Sequence, residues 1–257
     1  MYFNNVHILI YMIVAILGLV IGKFIAWCNI RLIEDKKIFS KDFFKLYKEG
    51  FKNSYIIMFI ISVLYISLLY KFGIRNEIFK NLDLIKFFIL IPLLVSAFFV
   101  DMKERIIPNR INLTIFEIGL IFAFIYGINN INMAINMILG MFTGAGIFII
   151  ITILGGVIAG KEAMGLGDVK LMGALGLYFG VSGIAEISLA AFFVAAICSI
   201  GILFTRSVIF KKSDEYIPFG PFLAFSSIAY IFLPANLVFI SFMGLCKVIS
   251  DKILNFG

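Results

Sequence analysis

Four acidic residues lie within, or at the ends of, the apolar segments of this chain: Asp101, Glu117, Asp168 and Glu186. A charge at bilayer depth costs about 2.5–3.5 kcal/mol on insertion scales, so each of the four is a candidate for function. Asp101 ends one apolar run and Asp168 begins another, and we expect these two to converge at one membrane face. We interpret Glu117 and Glu186 as structural.

A pair of neighbouring aspartates can hydrolyse an amide bond without a covalent intermediate. Two carboxyl groups a few ångströms apart do not both ionise easily, so one of them keeps a proton. The ionised carboxylate takes a proton from a water, while the protonated carboxyl group polarises the scissile carbonyl. A structural interpretation competes with this one. In it, Asp168 is the N-cap of the next helix, and Asp101 pairs with Lys103 or Arg105.

The other reactive residue types restrict the chemistry further. The chain has one histidine, His7, and three cysteines without a CxxC spacing. A zinc cluster and an HExxH metalloprotease site are therefore excluded, and serine–histidine catalysis would have to use His7. We predict no metal site.

The composition predicts an all-α polytopic membrane protein. Of the 257 residues, 62% are hydrophobic and 14% are charged, and the mean hydropathy is +1.09. Soluble domains have roughly 45–50% apolar and about 25% charged residues. At about 20 residues per span, eight or nine helices with short loops fill the chain. The apolar runs predict helices over 8–32, 55–72, 84–101, 111–128, 133–159, 169–181, 184–205 and 219–249. The run 169–181 is short enough to be re-entrant, and Pro234 leaves the last run as one helix or two.

Basic residues concentrate in alternate loops, such as 31–54 and 102–110. The positive-inside rule makes these loops cytoplasmic, which places Asp101 and Asp168 at the cytoplasmic face. The loop 71–86, with four basic residues, argues against this scheme. The net charge of +7 is interpreted as topology, so we expect the bilayer as a partner and no nucleic acid.

Four blocks of the sequence resemble bacterial type IV prepilin peptidases. GLGDVKL at 165–171 matches the family's GxGDxKL signature, and Asp101 followed by IPN at 107–109 is similar to its first aspartate block. IPFGPFLA at 217–224 and GLVIGKF at 18–24, which leads to Arg31-Leu32, resemble two further family segments. The blocks stand in the family's order and span most of the chain.

The resemblance implies a membrane aspartic endopeptidase in the bacterial cytoplasmic (inner) membrane, with its active site facing the cytoplasm. Its substrates would be type IV prepilins or type II secretion pseudopilins, cut between a basic leader and an apolar helix. The residues implied as catalytic are Asp101 and Asp168. Those implied to shape the site are Gly165, Gly167 and Lys170. Those assigned to substrate binding are Pro218, Gly220 and Glu162, the last as a hypothetical attractor of the basic leader.

The chain also departs from the family pattern. Many members hold zinc with a pair of CxxC motifs in the first cytoplasmic loop, in a region linked to N-methylation of the new pilin N-terminus. Residues 1–54 are predicted to form an N-terminal helix and a short cytoplasmic loop, in which apolar and charged residues over 33–54 predict an amphipathic helix on the membrane surface. This part resembles that N-terminal region without its CxxC motifs, and Lys23 replaces the usual serine. Residues 55–257 are predicted to be the peptidase domain. No zinc is expected, and the peptidase needs no cofactor. Methylation, with S-adenosylmethionine as its cofactor, is left open, as is the oligomeric state.

Two alternatives remain. Other GxGD proteases, of the preflagellin or signal-peptide-peptidase type, share the aspartate pair. The signal-peptide-peptidase type has a YD pair and a PAL motif, where this chain has Val100 before Asp101 and PFGP at 218–221. A small ion-coupled transporter belongs to a different class and would place its carboxylates near the membrane midplane on broken helices.

Overall fold

The computed structural model describes residues 2–3, 6–33, 54–74, 78–160, 164–209 and 218–233. A short antiparallel pair of strands, β1 (Tyr2–Phe3) and β2 (Val6–His7), precedes the helices. The helices in these ranges are α1 (Ile8–Ile33), α2 (Ser54–Phe72), α3 (Ile78–Glu104), α4 (Asn109–Asn129), α5 (Ile131–Ala159), α6 (Leu166–Ile209) and α7 (Gly220–Phe232). Within the described ranges, α1 to α6 are long and apolar enough to cross a membrane, and α7 is a shorter apolar helix. The prediction of an all-α polytopic membrane protein is confirmed.

Helix α6 is broken at Gly180, where φ is 67° and ψ is −173°. This left-handed conformation favours glycine because a side chain would be strained there. The segment 166–179 packs antiparallel along α5, and the segment after the break returns along it, with Ile184 beside Gly144 and Phe192 stacked on Phe148. The predicted runs 169–181 and 184–205 are these two halves.

Asn136 of α5 holds the break, since its Oδ1 accepts a hydrogen bond from the Val181 N–H at 3.3 Å. One turn further along α5, a Cβ on Gly140 would lie 2.5 Å from the Gly176 carbonyl oxygen. Helices approach this closely where both contribute small residues. The first half of α6 therefore packs antiparallel along α5 between Asn136 and Ala145. With 14 residues, from 166 to 179, it is shorter than a spanning helix of about 20 residues, and the re-entrant interpretation stays a prediction.

Helix α3 is the most enclosed of the long helices, and Leu90, Ile91 and Leu94 at its centre are fully buried. It begins at Ile78, six residues before the predicted start at 84. The prediction placed the helix start after the polar residues that precede position 84. In the structure these residues are helical, and Asp83 forms an ion pair with Lys86 at 2.9 Å one turn along the same helix. The C-terminal end of α3 lies beside the starts of α4, α6 and α7. We call this the dyad end of the bundle, because it holds Asp101 and Asp168, the pair that we call the dyad.

Some predictions lie outside the described residues. One is the amphipathic helix over 33–54, which is also the loop between the two predicted domains and is described only at its two ends. The other is the section of the last apolar run beyond 233. They stay predictions.

Candidate active site

Asp101 is placed by the end of α3, in the last turn of the helix, and is 4% exposed. The Gly220 backbone N–H donates a hydrogen bond to its carboxyl group. Gly220 begins α7, so this N–H is one of the groups that a helix leaves without a partner at its start. A Cβ at position 220 would lie 2.5 Å from Asp101 Oδ2, so only glycine fits without a shift. The start of α7 therefore orients the Asp101 carboxyl group.

Asp168 is placed by the first turn of α6 and is 6% exposed. The helix begins at Leu166, and the Asp168 N–H donates to the Gly165 carbonyl oxygen at 3.1 Å. The interpretation of Asp168 as an N-cap is wrong, because a residue that lies inside the first turn does not cap it. Gly167, directly before Asp168, is itself helical and does not break the helix.

The two aspartates line one cavity of about 600 Å³ at the dyad end, and their carboxyl groups are close enough to interact electrostatically. The cavity wall comes from the end of α1, the α3–α4 connection, the start of α6 and the start of α7. Parts of five helices, α1, α3, α4, α6 and α7, thus meet around the predicted pair. The arrangement provides two carboxyl groups and space for a water and a peptide, which are the requirements for water-dependent amide hydrolysis.

Basic side chains surround the cavity but do not neutralise the pair. Arg105, Arg110 and Lys170 line it, and the Lys170 ammonium group donates to Asn109 Oδ1 at 2.9 Å. Among the described residues, the salt bridges found join Lys86 to Asp83 and Lys103 to Glu104. Neither Asp101 nor Asp168 has a cationic partner within the described ranges.

The structure brings most of the other predicted site residues to this cavity. Those that line it are Gly165, Gly167, Lys170 and Pro218, and Gly220 contacts Asp101 directly. Glu162 lies outside the described residues. Of the other two acidic candidates, Glu117 is exposed on α4, and Glu186 is buried in the second half of α6.

Sequence reasoning missed two residues that position the dyad. Asn112 of α4, 3% exposed, donates from Nδ2 to the Gly167 carbonyl oxygen at 3.0 Å, which ties α4 to the turn before Asp168. Ile107, also buried, packs between Gly167 and Gly220 and so spaces the two arms of the site. Ile107 stood inside a recognised block, but nothing in the pattern marked Asn112.

The chain is similar to known proteins over the region that contains this site. Residues 88–200 match the model of the type IV leader peptidase family, and this range contains both aspartates. The family resemblance is confirmed. The prepilin leader peptidase/N-methyltransferase of Aeromonas hydrophila is 30% identical over 131 residues, which cover 51% of this chain and 43% of that protein.

Two further relatives extend the comparison. The prepilin leader peptidase/N-methyltransferase of Xanthomonas campestris pv. campestris is 29% identical over 187 residues, 72% of this chain and 61% of that protein. The type 4 prepilin-like proteins leader peptide-processing enzyme of Escherichia coli O78:H11 is 29% identical over 142 residues, 55% of this chain and 49% of that protein. The chain thus spans less than two thirds of these relatives. No solved structure matches it significantly.

Proposed function

We propose that this chain is a membrane aspartic endopeptidase that removes the leader peptide from type IV prepilins or type II secretion pseudopilins. The observation that carries the proposal is the pairing of two buried aspartates, without cationic partners among the described residues, in one cavity at the end of a helix bundle. The family match and the names of the relatives support the substrate class.

The proposed reaction uses the dyad as a unit that shares one proton. The ionised carboxylate takes a proton from a water, and the resulting hydroxide attacks the scissile carbonyl carbon. The protonated carboxyl group donates its proton to the carbonyl oxygen, which gives a neutral tetrahedral intermediate. As the C–N bond of the intermediate breaks, the nitrogen takes up the proton that came from the water. One hydroxyl group of the intermediate gives its proton to the other carboxylate, which yields the new carboxylic acid and restores the starting state of the dyad. Gly220 keeps the Asp101 carboxyl group in orientation through these steps.

The distribution of basic residues supports a cytoplasmic position for the site. Arg105, Arg110 and Lys170 line the cavity at the dyad end. At the opposite end, the Lys71 ammonium group donates to the carbonyl oxygens of Ile231 and Leu233 at the end of α7. Lys86 there is buried against Asp83. Lys71 thus binds the end of a helix and Lys86 is held in an ion pair, so both have structural roles. The four basic residues of the 71–86 loop are therefore weaker evidence against the positive-inside assignment than their number alone indicates.

No cofactor enters the proposed reaction, because two carboxyl groups and a water supply every proton transfer. S-adenosylmethionine would be needed only for a methylation step, which is not included in this proposal. The transporter alternative is disfavoured by position, since both aspartates lie within one turn of a helix end rather than at mid-helix.

The proposal is tested by co-expressing a type IV prepilin with the wild-type chain, with Asp101→Asn and with Asp168→Asn. Asparagine keeps the size of the side chain but removes the ionisable group. We expect wild type to shorten the prepilin on a gel, with mass spectrometry locating the new N-terminus before the apolar helix. Each asparagine variant should insert in the membrane and leave the prepilin uncut.

A matched control is Glu117→Gln, which removes an exposed carboxylate from α4 within the same family region. It should process the prepilin like wild type. Normal processing by either asparagine variant would contradict the dyad, and failure of wild type on several prepilins would contradict the substrate class.

A further inference from the structure

A second cavity, of about 520 Å³, lies beside the dyad cavity on the outer surface of α4, α5 and the first half of α6. We call it the helix groove. Its apolar lining consists of Leu113, Phe116, Met141, Ala145, Val169, Gly173 and Ala174. Three polar residues, Asn109, Arg110 and Lys170, line both cavities. The helix groove is therefore continuous with the candidate active site, and its charged groups are confined to the junction.

We propose that the helix groove receives the apolar helix of the substrate while the bond before that helix enters the dyad cavity. This inference rests on the proposed function and names where its substrate binds. A substrate with a polar leader joined to an apolar helix needs a polar cavity and an apolar membrane-facing groove that meet at the scissile bond. The two cavities have this order.

The groove floor suits a helix. It contains Gly173 and Ala145, and a Cβ on Gly173 would lie 3.3 Å from the Ala145 Cβ. These small residues bring α5 and α6 into close contact and leave no large side chain at this point of the groove floor. Helices in membranes commonly associate at such small-residue surfaces.

Asn112 supplies a second, independent observation at the junction. Its Nδ2 donates a hydrogen bond to the Gly167 carbonyl oxygen. Because a carbonyl oxygen only accepts hydrogen bonds, the amide group must turn its nitrogen towards Gly167 and its oxygen away. Its Oδ1 is buried and has no hydrogen-bond partner among the described residues. The residue lines the helix groove next to the residues that the two cavities share. The first turn of any helix carries N–H groups without intrahelical partners. The start of the substrate helix would donate one of them to Asn112 Oδ1.

The first test fills the groove. Ala145→Leu places a larger side chain on its floor, whereas Gly146→Leu places the same leucine side chain one residue on, where a Cβ meets nothing within 4 Å. With a purified type IV prepilin in mixed micelles, we expect Ala145→Leu to raise KM about tenfold with kcat within twofold of wild type. Gly146→Leu should change neither. Equal KM values for the two variants would overturn the proposal.

The second test does not depend on how Ala145→Leu folds. In a background with all three native cysteines replaced by alanine and with Asp168→Asn to keep the substrate intact, a single cysteine is placed at Leu113 or at Ile153. These positions are 55% and 60% exposed, and each lies within two turns of the dyad end of its helix. The prepilin carries one cysteine in the first two turns of its apolar helix. We expect a disulfide cross-link from position 113 and none from position 153.

Equal cross-linking from both positions, or none from 113, would overturn the proposal and leave a lipid acyl chain as the occupant of the groove. A cross-link between two copies of the chain from position 113 would assign the groove to self-association instead. Cleavage by wild type in either case keeps the proposed function, whereas a prepilin that wild type does not cut overturns both.

Discussion

The two ends of the helix bundle each hold a cluster of charged side chains, and the clusters differ in how their charges are neutralised. At the opposite end, Asp83 Oδ1 accepts from the Lys86 ammonium group at 2.9 Å and from the Tyr126 hydroxyl at 2.6 Å. Lys86 also lies over the rings of Phe87 and Tyr126. At the dyad end, Asp101 has the Gly220 N–H, and neither aspartate has a cation among the described residues.

The volumes of the cavities beside the two clusters also differ. The cavity beside Asp83 is about 160 Å³, and the cavity at the dyad is about 600 Å³. A buried charge that is paired inside the protein is a feature of stability, because its partners already satisfy it. Carboxyl groups that are buried beside a cavity without a cation are available to a water and a substrate. We therefore predict that the Asp83–Lys86 cluster controls the stability of the fold and that the dyad controls the chemistry.

The largest expected effect separates chemistry from folding at the dyad. Asp168→Asn should lower the rate of prepilin processing at least about a thousandfold, which is about 4 kcal/mol of activation free energy. Its midpoint of thermal unfolding in detergent should equal or exceed that of wild type, because the substitution removes one of two neighbouring carboxyl groups. A variant that loses activity only because it unfolds at lower temperature would contradict this assignment.

The opposite cluster should respond in the reverse way. Asp83→Asn leaves the Lys86 charge, whose side chain is 8% exposed, without its counter-ion. We expect a loss of about 2–3 kcal/mol in the free energy of unfolding, seen as a lower midpoint of thermal unfolding. Processing by the folded fraction should stay within twofold of wild type.

A rescue experiment sharpens this prediction. The Asp83 side chain is 41% exposed and can be hydrated, so the penalty belongs mainly to Lys86. Adding Lys86→Met to Asp83→Asn should therefore restore at least half of the lost stability, since an apolar side chain has no charge to bury. No recovery in the double variant would show that the cluster stabilises the fold by other means.

The amino-acid sequence was sufficient to predict the membrane class, most helix positions and the convergence of Asp101 and Asp168 in one cavity, because these depend on local hydropathy and on a motif. It was not sufficient for what depends on packing between helices. The Gly220 N–H can reach the Asp101 carboxyl group only because α7 begins beside the end of α3. Asn112 can reach the Gly167 carbonyl oxygen only because α4 lies beside the start of α6. The helix break at Gly180 also needs Asn136 from α5. Each of these is a contact across a long sequence separation.

The next largest effect tests the α7 contact at the dyad. In Gly220→Ala, the new methyl group would lie 2.5 Å from Asp101 Oδ2 and 2.9 Å from Ile107 Cδ1, so the carboxyl group must move. We expect processing to fall about 10- to 100-fold, the size of effect that misplacement by about 1 Å produces. The control Gly146→Ala has space for its methyl group and should process normally. Wild-type kinetics in Gly220→Ala would show that Asp101 does not need the orientation that α7 gives it.

The smallest effect concerns two buried asparagines that both join helices at the dyad end. Asn112 donates to the Gly167 carbonyl oxygen, beside Asp168, whereas Asn29 of α1 accepts from the Ser96 hydroxyl of α3, which lies further from the cavity. Each alanine substitution removes one buried hydrogen bond and should cost about 1 kcal/mol of stability. Asn112→Ala should also lower kcat/KM about tenfold, or about 1.4 kcal/mol, while Asn29→Ala should leave it within twofold. Equal kinetics with equal losses of stability would mean that Asn112 only holds helices together and does not position the dyad.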